Sequence, residues 1–330
     1  MLIKSTVGRC SSEMSIDSES LEDSKNGFLA NTDVACPQRL ITLASTPNPK
    51  TFVFVRALGE FTLQTARCAI SSRLVKPILV GEPELIARDA ASIGWDLRGA
   101  EIVPAEGEKE SIEVAINLFK SGRAAGLVKG QLHTDIFMSE VVKRDSGIRK
   151  GKRLIHLFAM FSSRGGRPLF ISDAAVNVAP DVATRVDASL LMAELARRLG
   201  RSKPKIAILS ATETVIDSIP SSFEAANVAI QAAKLDELAD FAGPLSFDLA
   251  VSPIAAAVKG FEGPVAGVAD GLVVPDLESG NILFKSLVWC SGALAAGLVL
   301  GGAIPMVLTS RSDNVASRLA SLALSVIAGR

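Results

Sequence analysis

The sequence predicts an α/β protein with a mainly parallel sheet. From about residue 50 onward, short apolar runs alternate with longer stretches of helical spacing, the pattern of βαβ units. Polar residues capable of chemistry also collect where the apolar runs end, the place where such sheets bind ligands.

Taken in order, PILVG (77–81) is a compact run closed by glycine, and PELIARDAASIG (83–94) follows as a helix. EIVPA (101–105) precedes ESIEVAINLFKSG, and GLVKG (126–130) precedes TDIFMSEVVKRD. RLIHLFAMF (153–161) and PLFISDAAV (168–176) are adjacent strand-like runs, and DVATRVDASLLMAELARRLG (181–200) is a long amphipathic helix stopped by glycine. KIAILSA (205–211) leads into SSFEAANVAIQAAKL, where Ser221 and Glu224 have capping-box spacing. GLVVPD (271–276) reads as another strand and DNVASRLASLALSVIAG (313–329) as the last helix.

Residues 286–310 carry no charge, and about twenty apolar residues would span a bilayer. The glycines and Pro305 argue against a crossing. The reading is one helix over Ser286–Leu300, a turn at Gly301-Gly302, and a buried strand over Ile304–Thr309.

The 330 residues provide material for about two domains, with a substantial core from 48% hydrophobic composition. Thirty-five basic residues balance thirty-five acidic ones, with no Lys/Arg block, so no nucleic-acid partner is expected. The four cysteines form no CxxC pair. Two lie in apolar helical surroundings, which predicts buried free thiols in a reducing cytosol. The Ser/Glu/Asp-rich start predicts a flexible acidic leader over residues 1–30 without the apolar core of a signal peptide.

The polar strand tips are Lys129-Gly130 with His133-Thr134, Asp173 with Asn177, Asp276 with Glu278 and Asn281, and Ser310-Arg311 with Asp313. An arginine fork at Arg311 could hold a phosphate by paired charge-assisted bonds, or Ser310 could simply cap the last helix beside a surface arginine. Asp313 could be a base or a first-turn acid. PDLESGNILFK gathers Asp276, Glu278, Asn281 and Lys285, which could orient a polar substrate or cap a helix. Lys129 and His133 could contact an anion, with Thr134 or Asp135 capping the next helix. His156, the other histidine, reads as a hydrogen-bonded core residue. GxGxxG, GxxxxGK[ST], GxSxG and HExxH are all absent, so Ser-His-Asp hydrolysis and zinc chemistry have no support and no metal site is expected.

The blocks KGQLHTD, ISDAAVNVAPD, KIAILSATETV, SIPSSFEAA, GPLSFDLAVS, GVADGLVVPDLESGNILFKSL and GAIPMVLTSRSD resemble, in order, the signature blocks of the phosphate acetyl/butyryltransferase family. The resemblance covers about residues 50–330 and is greatest to the transferase half of hydratase-fused phosphate acetyltransferases. It implies a two-domain fold like isocitrate and isopropylmalate dehydrogenases, with mainly parallel sheets and an interdomain cleft. Residues 31–152 with 300–330 would form the first domain and 153–299 the second. It also implies a cytoplasmic homodimer without tightly bound cofactor, exchanging acyl groups between CoA and phosphate with acetyl favoured.

By that resemblance Arg311 grips phosphate, Ser310 donates to the carbonyl oxygen, and Asn281 and Lys285 line the cleft. Stand-alone acetyltransferases resemble Ser-Arg-Gly-Cys with an aspartate seven residues after the serine as base. Here Asp313 replaces the cysteine and Ser317 the aspartate, as in butyryltransferases and hydratase-fused enzymes, so Asp313 would take the proton or position the thiol. The arginine that acetyltransferases carry just after the histidine of this block is missing. The competing expectations are a butyryltransferase, a non-catalytic CoA-binding relative, and an NAD-dependent decarboxylating dehydrogenase. Asn177, four residues after Asp173, stands where the last would need a second metal-binding acid.

Overall fold

A computed structural model describes residues 28–30, 34–151, 153–309 and 313–330. The first half runs α1 (Gln38–Ala44), β1 (Thr51–Val55), α2 (Glu60–Ser71), β2 (Lys76–Gly81), α3 (Pro83–Ser92), β3 (Glu101–Pro104), α4 (Gly107–Lys120), β4 (Gly126–Lys129) and α5 (Thr134–Val141). After β5 (Ile155–Phe161) and β6 (Leu169–Ser172) come α6 (Val182–Arg198), β7 (Lys205–Leu209), α7 (Pro220–Leu235), β8 (Asp240–Leu245), α8 (Phe247–Val251) and α9 (Pro253–Val258). The chain closes with β9 (Gly271–Val273), α10 (Leu277–Ser291), β10 (Leu294–Leu300), β11 (Met306–Val307) and α11 (Val315–Ala328).

All eleven strands join one sheet in the order β3-β2-β1-β4-β11-β10-β5-β6-β9-β7-β8. Pairing is parallel except at the centre, where β10 runs antiparallel to β11 and β5, and β5 antiparallel to β6. Strand direction therefore reverses in the middle of the sheet.

Period-two side-chain alternation distributes the core over both faces. In TFVFV, Phe52 and Phe54 enter one apolar cluster while Val53 and Val55 enter another. The first cluster runs along one face of nearly the whole sheet, from Phe52 to Ile206 and Val273, under α2, α6 and α11. On the opposite face the core is divided. One part is built from residues 53–154 and 299–308, the other from residues 158–274, with Leu283, Phe284 and Leu287 of α10 packed against it. The division passes along β10, where Val299 joins the first part and Ala295 packs on the second, so the two halves of the sheet carry separate cores on this face.

The expected Ser286–Leu300 helix is corrected: α10 stops at Ser291 and β10 begins at Leu294. Gly292 takes the left-handed conformation, φ 62°, which ends a helix without a side-chain clash. LAAGLVL then pairs along its full length with β5, so cross-strand pairing overrides the helical propensity of Ala and Leu. The Ile304–Thr309 strand is present, with ladder pairing confined to Met306-Val307. No described helix is long and apolar enough to cross a membrane. The Ser221–Glu224 capping box does not form. The α7 helix begins at Pro220, Ser221 Oγ lies 3.0 Å from Ser210 Oγ, and Glu224 turns to Arg185.

Of the leader, residues 1–27 lie outside the described residues; Ala30 N–H donates to Trp289 O at the end of α10. Among the described cysteines, Cys36 and Cys68 are half-buried free thiols, and burial pushes Cys36 up to about 12. Cys290, expected in the interior, is exposed on α10, because that helix turns only part of its circumference to the core.

Gly130 joins β4 to the turn that follows. A Cβ there would lie 2.4 Å from Arg56 O and 2.6 Å from Val55 O, both main-chain atoms. Gly130→Ala is expected to cost about 1–3 kcal/mol, the range for overpacking a close contact, read as a lower urea midpoint at unchanged slope.

Candidate active site

The tips of β4, β11 and β6 meet around one apolar cluster. Leu132 follows β4, Leu308 follows β11, and Ala175 and Val176 follow β6; all four belong to or pack on the same core. Ala174, one residue earlier, belongs to the other core on that face. The candidate site is the seam where the two cores abut.

On the β4 side, buried Lys129 turns back so that Nζ donates to Leu132 O at 2.8 Å, closing the turn that presents His133. The His133 main chain occupies the N-cap position of α5, and neither Thr134 nor Asp135 caps that helix as expected. Instead Glu108, in the first turn of α4, accepts from the His133 main-chain N–H at 2.9 Å, and both its oxygens lie 2.9 Å from ring Nδ1. Arg56, at the tip of β1, reaches Glu108 at 3.4 Å, Glu82 at 3.2 Å and the Gln131 carbonyl at 3.2 Å. Glu82 in turn accepts from Gly107 N–H at 3.0 Å. Four strand-tip loops are thus tied by one charged network. Burial raises the pKa of Glu108, but the His133 hydrogen bonds and the His133 and Arg56 charges outweigh it and hold this carboxyl below its usual range. Glu82 is likewise lowered: burial opposes, while its own main chain, Gly107 and Arg56 prevail.

On the β6 side, Asp173 is buried and saturated. Its Oδ1 accepts from Ala175 and Val176 N–H at 2.9 Å, and its Oδ2 accepts from His156 N–H at 3.0 Å and Asn177 Nδ2 at 2.7 Å. Asn177 Nδ2 also donates to Leu154 O at 2.8 Å. The N-terminus of α10 packs onto this loop, with Asn281 Nδ2 donating to Ala174 O at 3.2 Å. Asp276 caps α10 by accepting from Ser279 N–H at 2.8 Å. Asp173, Asn177 and Asp276 therefore shape the wall of the seam, and Asn281 stands on it. Lys285, one turn further along α10, is exposed.

On the β11 side, Ser310 and Arg311 lie outside the described residues. Both ends of their segment are described, and one side chain holds both. Arg318 of α11, only 6% exposed, donates from Nε to Asp313 O at 3.0 Å and from Nη1 to Thr309 Oγ1 at 3.2 Å. Burial lowers its pKa and the Asp313 charge opposes that shift. The N-cap of α11 is Asn314, whose Oδ1 accepts from Ser317 N–H at 2.9 Å. Ser317, at the family's aspartate position, thus sits in the first turn of a helix.

The sequence missed Arg318, Glu108 and Arg56. It also missed Arg185, buried under the β7 tip, which bonds Glu224 and Leu209 O at 3.3 Å, with Asp276 within reach of its charge. Nothing in local spacing marks these residues, because their partners lie on other elements. Among the described residues no group of three His, Cys, Asp or Glu side chains could hold a metal ion. A cavity of about 630 Å³ lined by Lys50, Lys150, Arg198 and Arg330 lies at the opposite, amino-terminal ends of β1 and β4. Lys50, Arg198 and Arg330 donate there to main-chain carbonyls around the end of α11 and of α1, so this cavity is not the candidate site.

Residues 108–326 match the phosphate acetyl/butaryl transferase family. This chain belongs to that family. It is 41% identical over 290 residues to a phosphate acetyltransferase of Rhizobium meliloti, spanning 88% of this chain and 92% of that one. A phosphate butyryltransferase of Clostridium acetobutylicum is 31% identical over 276 residues, spanning 82% of this chain and 90% of its own. The crystal structure of a branched-chain phosphotransacylase from Enterococcus faecalis V583 superposes with a TM-score of 0.73 at 30% identity, covering 85% of this chain and 99% of that one. The protein is a phosphate acyltransferase, and the polar tips of its seam fall within the matched residues.

His156 lies at this seam. It is buried, as expected, with the Leu308 carbonyl near enough to act on the ring but outside good hydrogen-bond geometry. Its ring packs edge-on against Phe158, centroids 4.4 Å apart. Burial pushes its pKa below the ordinary histidine value, against the Asp173 charge and the nearby Leu308 carbonyl. The unfolded chain therefore takes up this proton at a higher pH than the folded protein does. Stability should fall as pH drops below about 6.5. His156→Gln should flatten that fall, measured by urea unfolding between pH 7 and 5.

Proposed function

We propose that this enzyme moves an acyl group reversibly between CoA and inorganic phosphate, with acetyl favoured, at the seam beneath the β4, β6 and β11 tips. The observation that carries this is the near full-length identity of 41% to an acetyltransferase, against 31% to a butyryltransferase.

In the direction of acyl-CoA synthesis, the CoA sulfur attacks the carbonyl carbon of the acyl phosphate. Negative charge gathers on the carbonyl oxygen and on the departing phosphate, where fixed donors help most. Arg311 holds the phosphate with a planar fork and Ser310 donates to the carbonyl oxygen. Asp313 removes the thiol proton or orients the sulfur. Lys129, Gly130, His133 and Thr134 form the substrate turn on one side of the seam. Asp173, Asn177, Asp276, Asn281 and Lys285 form the other wall. CoA is a substrate, and no tightly bound cofactor is required.

We further propose that the two opposite-face cores belong to two α/β domains arranged as in isocitrate and isopropylmalate dehydrogenases: residues 31–152 with 300–330, and residues 153–299. The divided core supports this, since one part draws on residues 53–154 and 299–308 and the other chiefly on 158–274. A homodimer through α10 completes the proposal. This apolar helix buries only Gly280 and exposes Ile282 at 66% and Trp289 at 59%, more than a lone surface helix needs. A cytoplasmic location is part of the same proposal, in keeping with free thiols at Cys36 and Cys68.

Arg311→Ala should lower phosphate-dependent thiol release from acetyl-CoA about a thousandfold with the thermal midpoint unchanged. Run in parallel, propionyl- and butyryl-CoA should turn over more slowly than acetyl-CoA. Trp289→Glu should convert dimer to monomer in light scattering.

A further inference from the structure

We propose that His133, held by Glu108, is the group that moves the proton between CoA sulfur and the enzyme. The assignment rests on the acyl-transfer reading above and decides a role that Ser317 cannot fill.

Ser317 carries no basic group, and its main-chain N–H is bonded to Asn314 within the first turn of α11. Asp313 has a different employment. Its carboxylate faces the charge of buried Arg318, whose Nε also binds the Asp313 carbonyl. Asp313 is thus engaged with Arg318 through both its charge and its main chain, which leaves proton transfer to another group.

His133 meets the requirements. Its Nδ1 lies 2.9 Å from both Glu108 oxygens. A carboxylate at Nδ1 fixes the tautomer with the proton on that nitrogen and leaves Nε2 with its lone pair. Among the described residues Nε2 makes no hydrogen bond, and the side chain is 53% exposed, open to a substrate. The carboxylate is itself immobilised, because Glu108 also binds the His133 main-chain N–H and Arg56, and Arg56 is anchored by Glu82 and Gln131 O. The charged groups around the ring are thus Glu108 from α4, Arg56 from β1 and Glu82 beyond β2. Asp135 in the first turn of α5 and Lys129 at the start of the turn complete them.

The placement fits as well. β4 and β11 are adjacent parallel strands, with Val128 paired to Val307. Leu132, which precedes His133, and Leu308, which follows β11, share one core.

The step balances with one proton. As the C–S bond forms, Nε2 accepts the thiol proton, the C–O bond to phosphate breaks, and phosphate leaves on Arg311. In reverse, phosphate oxygen attacks the thioester carbon, the C–S bond breaks, and the imidazolium returns the proton to the departing sulfur.

The test compares wild type, His133→Ala, His133→Gln, Glu108→Gln and Asp313→Asn in both directions, with thermal unfolding run on each. His133→Ala should lose on the order of a hundredfold or more in kcat, the usual worth of a positioned acid–base group, with the KM for CoA changed less than threefold. Added imidazole should restore part of that rate to His133→Ala and none to His133→Gln. Glu108→Gln should lose about tenfold in kcat with its pH–rate profile displaced, whereas Asp313→Asn, whatever it costs in rate, should leave the His133-dependent limb of the profile in place. An active wild type with His133→Ala within threefold of it, or a loss confined to the KM for CoA, overturns the assignment alone. A wild type without phosphate-dependent acyl transfer overturns the parent reading together with it.

Discussion

The position of β11 is the constraint on which the site depends. It contributes only Met306 and Val307 to the ladder, yet it bridges antiparallel β10 and parallel β4 at the centre of the sheet. That pairing sets the end of β11 beside the end of β4, the strand that leads to the His133 turn. Arg318 then holds the segment from beneath, with Thr309 at one end and Asp313 at the other. Burying a guanidinium is costly unless its donors and its charge are answered. Here a hydroxyl, a carbonyl and a nearby carboxylate answer them. The clamp acts on Thr309 and Asp313 from the scaffold side.

The opposite wall is organised by a similar economy of hydrogen bonds. Asp173 spends its carboxylate on four donors from the loops around it, and Asn177 and Asn281 stitch that loop to Leu154 and to α10. Saturated carboxylates of this kind hold geometry and have no lone pair left for chemistry. The charged groups with capacity to spare lie on the β4 side, where His133 and Glu108 are backed by Arg56 and Glu82. Binding and proton transfer are in this way divided from the scaffold that fixes their separation.

Much of this was legible in the sequence, and the failures have physical causes. The strand-helix alternation and the polar tips followed from period-two and period-3.6 patterning, which local sequence carries. TFVFV and DFAGPL passed unremarked as β1 and β8, the latter because Gly243 and Pro244 mask a strand. The Ser286–Leu300 helix failed because Ala, Leu and Gly are read by propensity in isolation, whereas β5 and β11 claim Leu294–Leu300 through the ladder. The tip residues Lys129, His133, Asp173, Asn177 and Asn281 could be placed at strand ends because they sit next to the apolar runs that position them. Arg318, Glu108 and Arg56 were not found, since each acts on loops from other elements and spacing along the chain does not encode such contacts. Cys290 was taken as buried because the residues around it on α10 are apolar, and apolarity alone does not say whether a helix faces its own core or a second copy.

The most direct test of the account is a crystal structure of the enzyme with CoA and phosphate. It predicts phosphate oxygens about 3 Å from the Arg311 guanidinium, with the CoA sulfur between that phosphate and His133 in the seam. Phosphate lodged instead among Lys50, Lys150 and Arg198 at the far end of the sheet, with the Arg311 side chain turned to solvent, would contradict it.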